Sequence, residues 1–293
     1  MKHVKNCFYI VCVVLATCLA AGLAAGCSPN NLPDYTVLSD LRVLALIADQ
    51  PEVNPGTVVT FTPVVSDING SGRTLNYTVG GCIDPGIGIG NTPTCTTPDP
   101  ASVQSGTVTP VAGPSKTYTG AVTGFSVTMP VQGTVFAGRS TADQFNGVPY
   151  LIFYVLSVPG GPTVTTVKRV VISAVAKTPK NLNPVITSVD LNDNPAAASI
   201  ATPLVHVNFR VSSPASSVEN FQVQMPNGTF SPATETLVNT WFVSDAAFQY
   251  YRTVGNGENP WSPPTLPTTR GMVILVVTRD GRGGEAFQKI DLD

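Results

Sequence analysis

Apolar and polar residues alternate with a period of two in the second half of the chain. Apolar side chains at the odd positions from Val205 to Val211 are separated by His206, Asn208 and Arg210, and residues 221–225 repeat the pattern. Successive side chains of a β-strand point to opposite faces, so this alternation predicts strands with one buried face.

Longer apolar runs are joined by short segments rich in glycine and proline. Residues 150–158 and 163–173 flank Pro159-Gly-Gly-Pro162, and residues 272–277 run into Asp280-Gly-Arg-Gly-Gly284 before a final strand from Ala286. A run, a turn and a second run predict a β-hairpin. The glycines at 283 and 284 serve such a turn and not a phosphate-binding loop, because no helix follows them.

The strand pattern divides into two modules. The first opens with predicted strands at 41–48, 57–67 and 75–79, and no segment of helical length shows a period near 3.6. Many short strands with regular turns indicate an all-β fold of two tandem immunoglobulin-like or fibronectin-like β-sandwiches. We assign residues 41–176 to the first domain, 177–183 to a proline-containing linker and 184–293 to the second domain.

Composition supports strands and excludes some partners. Of 293 residues only 12% are charged, and the net charge is −2. No basic stripe for nucleic acid and no polybasic membrane patch is present in the sequence.

The N-terminus has the three parts of an export signal. Lys2 and Lys5 precede an uncharged apolar run, and Ala25-Gly26-Cys27 ends it. These small residues before a cysteine resemble the lipobox of bacterial lipoproteins. The resemblance implies removal of residues 1–26, a diacylglycerol on Cys27, acylation of the new amine, and sorting to the outer membrane because Ser28 follows. Residues 27–40 then read as a lipidated, flexible tether.

Two cysteines remain after this processing. Cys82 and Cys95 predict a disulfide in an oxidising compartment, with a metal site or a reactive thiol pair as the alternative. We expect no cofactor beyond the covalent lipid on Cys27.

Several structural motifs resemble a known group. Leu41-Arg-Val-Leu-Ala-Leu, Pro51-Glu-Val-Asn-Pro-Gly, Asn183-Pro-Val-Ile and Arg279-Asp-Gly-Arg-Gly-Gly resemble the Ig-like modules of uncharacterised lipoproteins of myxobacteria and their relatives. The resemblance implies an envelope location and an Ig-like fold, and no activity.

Candidate chemistry is sparse. His206, the one histidine outside the signal, lies on a polar strand face, and no pairing of catalytic acids is visible, so we predict no catalytic residues. Asp190, Asn192 and Asp193 cluster oxygen ligands of the kind that Ca²⁺ prefers, but a turn capped by its own side chains explains them better.

Aromatic residues concentrate in the second domain. Trp241 beside Phe242 is expected in the core, whereas Trp261, Tyr250 and Tyr251 are candidate ligand-binding residues, with Trp261 in a proline-rich loop that packing alone would also explain.

The leading hypothesis is therefore a lipid-anchored, non-enzymatic envelope protein with a binding or assembly role. Envelope proteins and glycans are the candidate partners. The alternatives are a glycan- or peptide-binding lipoprotein that uses these aromatics, and an envelope hydrolase that uses carboxylates.

Overall fold

The computed structural model describes residues 36–86, 93–113, 117–264 and 271–293, and residues 35–293 form one compact unit. The described residues contain twenty-one strands: β1 (Arg42–Ala48), β2 (Glu52–Val53), β3 (Val58–Ser66), β4 (Leu75–Ile83), β5 (Gln104–Val108), β6 (Thr119–Ala121), β7 (Phe125–Thr128), β8 (Val148–Ser157), β9 (Thr163–Ile172), β10 (Ser188–Leu191), β11 (Asn194–Pro195), β12 (Ser199–Ile200), β13 (Val207–Ser212), β14 (Asn220–Gln224), β15 (Phe230–Thr234), β16 (Val238–Val243), β17 (Ala247–Phe248), β18 (Arg252–Val254), β19 (Glu258–Ser262), β20 (Met272–Arg279) and β21 (Glu285–Leu292).

Helices are short in the part of the chain that the structure describes. They are α1 (Gln132–Val135), α2 (Thr141–Asn146) and three 3₁₀ turns at Ile68–Gly70, Pro100–Ser102 and Ala215–Ser217. Helix α2 begins at a capping box in which Ser140 and Asp143 satisfy each other's backbone amides.

The first sandwich packs two sheets face to face. One sheet joins β1, β3 and β6, with β7 also pairing with β3, and the other has the order β2-β9-β8-β4-β5. A stack of aromatic rings fills the space between them. Phe125 lies 5.2 Å from Phe61 and 5.5 Å from Tyr154, centroid to centroid.

The second sandwich is built in the same way. Its sheets have the orders β11-β10-β13-β19-β17 and β12-β21-β20-β16-β18. Their facing sides bury Trp241, Trp261, Phe209 and Phe248, whose rings contact one another edge to face or tilted. These four aromatic side chains pack among aliphatic residues of both sheets and are the largest members of this core.

A third apolar layer joins the two sandwiches. In β20, Ile274 and Val276 face the second core, whereas Val273, Leu275 and Val277 face outward onto Leu44, Ala45 and Val64 of the first sandwich. A strand buried on both faces is apolar along most of its length and not only at alternate positions, which explains the unbroken run at residues 272–277. The described body is thus four stacked sheets with three apolar layers between them.

The predicted fold class is confirmed: the described chain is all-β and contains tandem β-sandwiches. Both predicted hairpins form, as β8–β9 and β20–β21. Val207, Phe209 and Val211 are buried as expected, but Val205 precedes β13 and is exposed. Residues 220–234 form a separate two-stranded ribbon, β14–β15, which belongs to neither sandwich.

The disulfide prediction is also confirmed. Cys82, near the end of β4, is bonded to Cys95 with a Cα–Cα distance of 5.9 Å. Because β4 is an inner strand of its sheet, the bond attaches Cys95 to the first sandwich.

Candidate functional site

The most highly organised cluster of charged residues is centred on Arg282, in the turn between β20 and β21. Its guanidinium lies 2.8 Å from Glu235 Oε1, 3.1 Å from Glu52 Oε2 and 3.3 Å from Glu219 Oε2. The ring of Phe221 lies beneath it at 4.1 Å from its centroid. Glu219 and Glu235 flank the two paired strands at the open end of the β14–β15 ribbon, so Arg282 joins the first sandwich to that end.

Glu52 receives a second cation from the segment between the sandwiches. Lys177 Nζ lies 2.6 Å from its Oε1, and the backbone N–H of Asn181 donates to Oε2 at 3.0 Å. Burial alone would raise the pKa of Glu52, but these donors outweigh it and lower the pKa below its ordinary value. The ionised carboxylate is the form that the fold requires.

Glu235 shows the opposite balance. Burial raises its pKa above the ordinary value, and the nearby charge of Asp280 adds to the effect, although Arg282 and the N–H of Glu219 oppose it. Both Glu235 and Glu52 have side chains that are 1% exposed. Removing their shared cation would leave buried charge unpaired.

The glycine turn is held in shape by Asp280. Its carboxylate accepts hydrogen bonds from the N–H groups of Arg282 and Gly284, and from Asn181 Nδ2 at 2.9 Å. Gly283 has φ +113°, a conformation that side-chain-bearing residues rarely adopt, and an added Cβ would lie 3.1 Å from the carbonyl oxygen of Arg169. The turn geometry thus aims Arg282 at the first sandwich.

A second group of ion pairs lies beside the turn. Lys168 Nζ, in β9, donates to the carbonyl of Gly283 at 2.6 Å and to Glu285 Oε2 at 2.8 Å. Arg279 donates to the other oxygen of Glu285 and to the carbonyl oxygen of Leu44 in β1. Desolvation lowers the pKa of the Lys168 ammonium. We call these two groups together, from Glu52 to Glu285, the junction.

The β14–β15 ribbon is docked on helix α2 of the first sandwich. The side chain of Asn146 donates to the carbonyl of Gln224 and accepts from its N–H, both at 2.8 Å, as a neighbouring strand would. Phe145 meets Phe230 edge to face at 5.0 Å. The ribbon therefore bridges both sandwiches at the end of the body that carries the junction.

At the end of the body opposite the junction, the first described residues of the chain pair with β16. The N–H of Leu38 donates to the carbonyl of Val243 at 2.7 Å, and the N–H of Val243 donates to the carbonyl of Thr36 at 2.8 Å. Leu38 is 1% exposed and belongs to the layer between the sandwiches. We call this the entry end. Strand β20 runs from it to the junction, about 23 Å at 3.3 Å per residue.

Trp261 is not the surface residue that the sequence suggested. It lies in β19, between β13 and β17, and is 0% exposed. The neighbouring Pro260 misled the prediction, because proline is rare in inner strands. The carbonyl oxygen of Pro260 accepts a hydrogen bond from the backbone N–H of Gln249, which directly follows β17. The nitrogen of Pro260, which carries no hydrogen, therefore faces the point at which the partner strand has ended.

Tyr250 and Tyr251 are exposed, at 47% and 56%, beside the edge strands β17 and β18. Gln249 Nε2 donates to the Tyr250 hydroxyl, and the Arg252 guanidinium lies 5.4 Å from the Tyr251 ring. Their role in ligand binding stays a prediction.

The oxygens of the weak calcium candidate are engaged by protein groups. Asp190 accepts from Ser188, Ser212 and Arg210, and Asp193 pairs with the same Arg210 at 2.8 Å. Asn192 and Asp193 have positive φ in the tight turn that joins β10 to β11. These contacts support the turn interpretation.

Two further residues singled out in the sequence are His206 and Cys27. His206 is exposed, with Nδ1 3.0 Å from the hydroxyl of Ser262. Cys27 lies outside the described residues. Within the ranges that the structure describes, no helix is long and apolar enough to cross a bilayer, and no three or more His, Cys, Asp or Glu side chains are grouped as metal ligands.

Comparisons with known proteins identify no family. No family model matches the chain, and no curated protein matches its sequence. Solved structures with which it aligns include the D0-D1 domain of intimin (12% identity, 85% of this chain and 98% of that one, TM-score 0.22). The Ig1-2 module of the Drosophila receptor protein tyrosine phosphatase DLAR is 12% identical, and the alignment covers 86% of this chain and 97% of that one with a TM-score of 0.25. The tandem V-type regions of VCBP3, a v-region-containing chitin binding protein, are 13% identical, and the alignment covers 87% of this chain and 99% of that one with a TM-score of 0.28. Superpositions this loose carry no argument about function.

Proposed function

We propose that this protein is a lipid-anchored, non-enzymatic component of a bacterial cell envelope, with a binding or assembly role. The lipid on Cys27 would attach it to the membrane, and the four-sheet body would act as a rigid unit between the membrane and a partner at the junction end. Tandem β-sandwiches whose junction carboxylates are engaged in ion pairs between the sandwiches support a binding or structural role.

The observation that carries this proposal is the placement of the two ends. The chain enters beside Val243, while the ribbon and α2 meet at the other end of β20. Cys27 precedes the first described residue, Thr36, by nine residues, so the attachment point lies within about 32 Å of the entry end. A partner would then meet the junction end first.

The acidic residues of the junction support a structural role over a hydrolytic one. Glu52 is paired with Lys177 and Arg282, and Glu285 with Lys168 and Arg279. A general acid and base require carboxylates that face a substrate, and each of these carboxylates faces two cations, one of which belongs to the other sandwich.

The anchor is tested by paired cysteine variants of the full-length protein. We expect Cys27→Ala to lose the lipid and to leave the membrane fraction, whereas Cys18→Ala, within the segment that would be removed, keeps both. Fractionation with intact-mass spectrometry measures the outcome. Equal membrane retention and equal mass of the mature forms would contradict the proposal.

A second candidate function is glycan binding through the exposed Tyr250 and Tyr251. Solvent-accessible aromatic rings can stack on sugar faces. Sedimentation with purified peptidoglycan would support it if Tyr251→Ala abolished binding and Tyr118→Ala, in the first sandwich, did not. Binding that survives Tyr251→Ala would count against it.

A further inference from the structure

The entry end carries an exposed apolar loop whose position the core does not explain. Leu204 and Val205, between β12 and β13, are 87% and 67% exposed. Leu204 has the largest exposed fraction among the large hydrophobic residues of the described chain. Contiguous exposed apolar surface, unlike single scattered side chains, marks contact with another apolar surface, so the residues around this pair decide its meaning.

The loop belongs to a longer uncharged strip. The twelve residues from Asn194 to Val205 contain no charged side chain, and Ala197, Ala198 and Ala201 within them are exposed. The strip is fixed to the body, because Ile200 pairs with Leu292 and the N–H of Thr202 donates to the carbonyl of Asp293. It is therefore a defined surface and not a free tail.

Strand pairing places this loop at the end where the chain enters. Val207, the first residue of β13, is paired with Trp261 of β19, which is also paired with Phe248 of β17. Only three residues connect Val243, the last residue of β16, to Ala247, the first residue of β17. The loop and the Thr36–Leu38 segment therefore lie at the same end.

We propose that Leu204 and Val205 insert into the surface of the membrane that carries the anchor, so that the body stands on its entry end. This inference rests on the lipid anchor proposed above. A tether of at most about 32 Å keeps this end beside the bilayer, where apolar side chains are more stable in the interfacial region than in water. Asp245 and Asp293 are exposed at the same end, so an anionic surface would repel this end and a zwitterionic surface is favoured.

The test compares two valines of nearly equal exposure at opposite ends. Val205 is 67% exposed, and Val175, which lies beside the junction residue Lys177, is 66% exposed. Each is replaced by cysteine in the lipidated full-length protein, spin-labelled, and reconstituted in phosphatidylcholine vesicles. Collision rates with oxygen, which concentrates in the bilayer, and with a water-soluble nickel chelate are measured by electron paramagnetic resonance.

We expect the label at Val205 to lose nickel accessibility severalfold and to gain oxygen accessibility relative to the label at Val175. Leu204→Cys should give the same result, which guards against a local effect of one label. Equal aqueous accessibility at both ends of an anchored protein would overturn the proposal, and so would equal shielding at both. Failure of the protein to float with the vesicles, with Cys27 unmodified by mass, would instead overturn the anchor itself.

Discussion

Replacing Arg282 with methionine removes the central cation of the junction but keeps an apolar side chain over Phe221. Glu235 would lose its ion pair while remaining 1% exposed, and Lys177 would be the one cation still paired with Glu52. Breaking a buried pair by removing one partner costs about 3–5 kcal/mol, because a desolvated charge is left behind. We expect Arg282→Met to lower the free energy of unfolding by an amount in that range.

The assay is urea denaturation followed by two probes. Both tryptophans of the chain, Trp241 and Trp261, are buried in the second sandwich, so their fluorescence reports that sandwich alone. Far-UV circular dichroism reports both sandwiches. Because the junction and the apolar layer join the sandwiches, the two probes should give coincident transitions in the wild type, and the midpoint should fall in both for the variant at unchanged slope.

The matched control is Arg169→Met. This arginine is 53% exposed and pairs with Asp84 at 3.0 Å within the first sandwich. An exposed pair contributes about 1 kcal/mol or less, so the control should unfold close to the wild type. An Arg282→Met protein that is no less stable than Arg169→Met would refute the role assigned to the junction.

Two further predictions concern acid stability and the disulfide. Glu52 has a lowered pKa in the folded state, so its contribution to stability is complete above its ordinary value of 4.5 and is lost as the pH falls through the folded value. Glu52→Gln should therefore be less stable at pH 7 but lose less stability between pH 5 and 3 in urea titrations, and parallel pH profiles would contradict this. Replacing Cys82 and Cys95 together with serine should lower the thermal midpoint, corresponding to about 3 kcal/mol for a loop of this size, whereas an unchanged midpoint in calorimetry would show that the loop needs no covalent closure.

Much of the fold follows from local sequence pattern. The alternation at Val207–Val211 and the paired runs around Pro159–Pro162 specify strands and hairpins, because strand periodicity and turn chemistry are local properties. The disulfide followed from counting cysteines. Fixed spacing along the chain is enough for predictions of this kind.

Local sequence pattern does not predict the contacts between the sandwiches. The apolar run of β20 is a clue to burial on both faces, yet a run alone does not say which second surface covers it. In the sequence, Arg282 is one residue of a glycine-rich turn. Its ion pairs with Glu52 and Glu219 join residues far apart in sequence, so local pattern does not predict them. The sequence signal that points to the junction is Glu52, an acidic residue beside Val53 in a short buried strand, because a buried carboxylate requires a cation.

The Trp261 prediction was wrong because proline was read as a marker of loops. A strand accepts proline where its missing N–H faces an unpaired side, and the length of the neighbouring strand decides this. That length is a tertiary property that sequence periodicity does not reveal.

Joining of the two sandwiches into one rigid body is tested most directly by a distance distribution across them. Val103 in the first sandwich and Val254 in the second are both exposed, at 61% and 63%, and can carry spin labels as a double cysteine variant. Double electron–electron resonance should give a single narrow distance distribution, which Arg282→Met broadens. A broad distribution in the wild-type background would instead show two sandwiches that move about the segment between Ile172 and Ser188, and would contradict the four-sheet body described above.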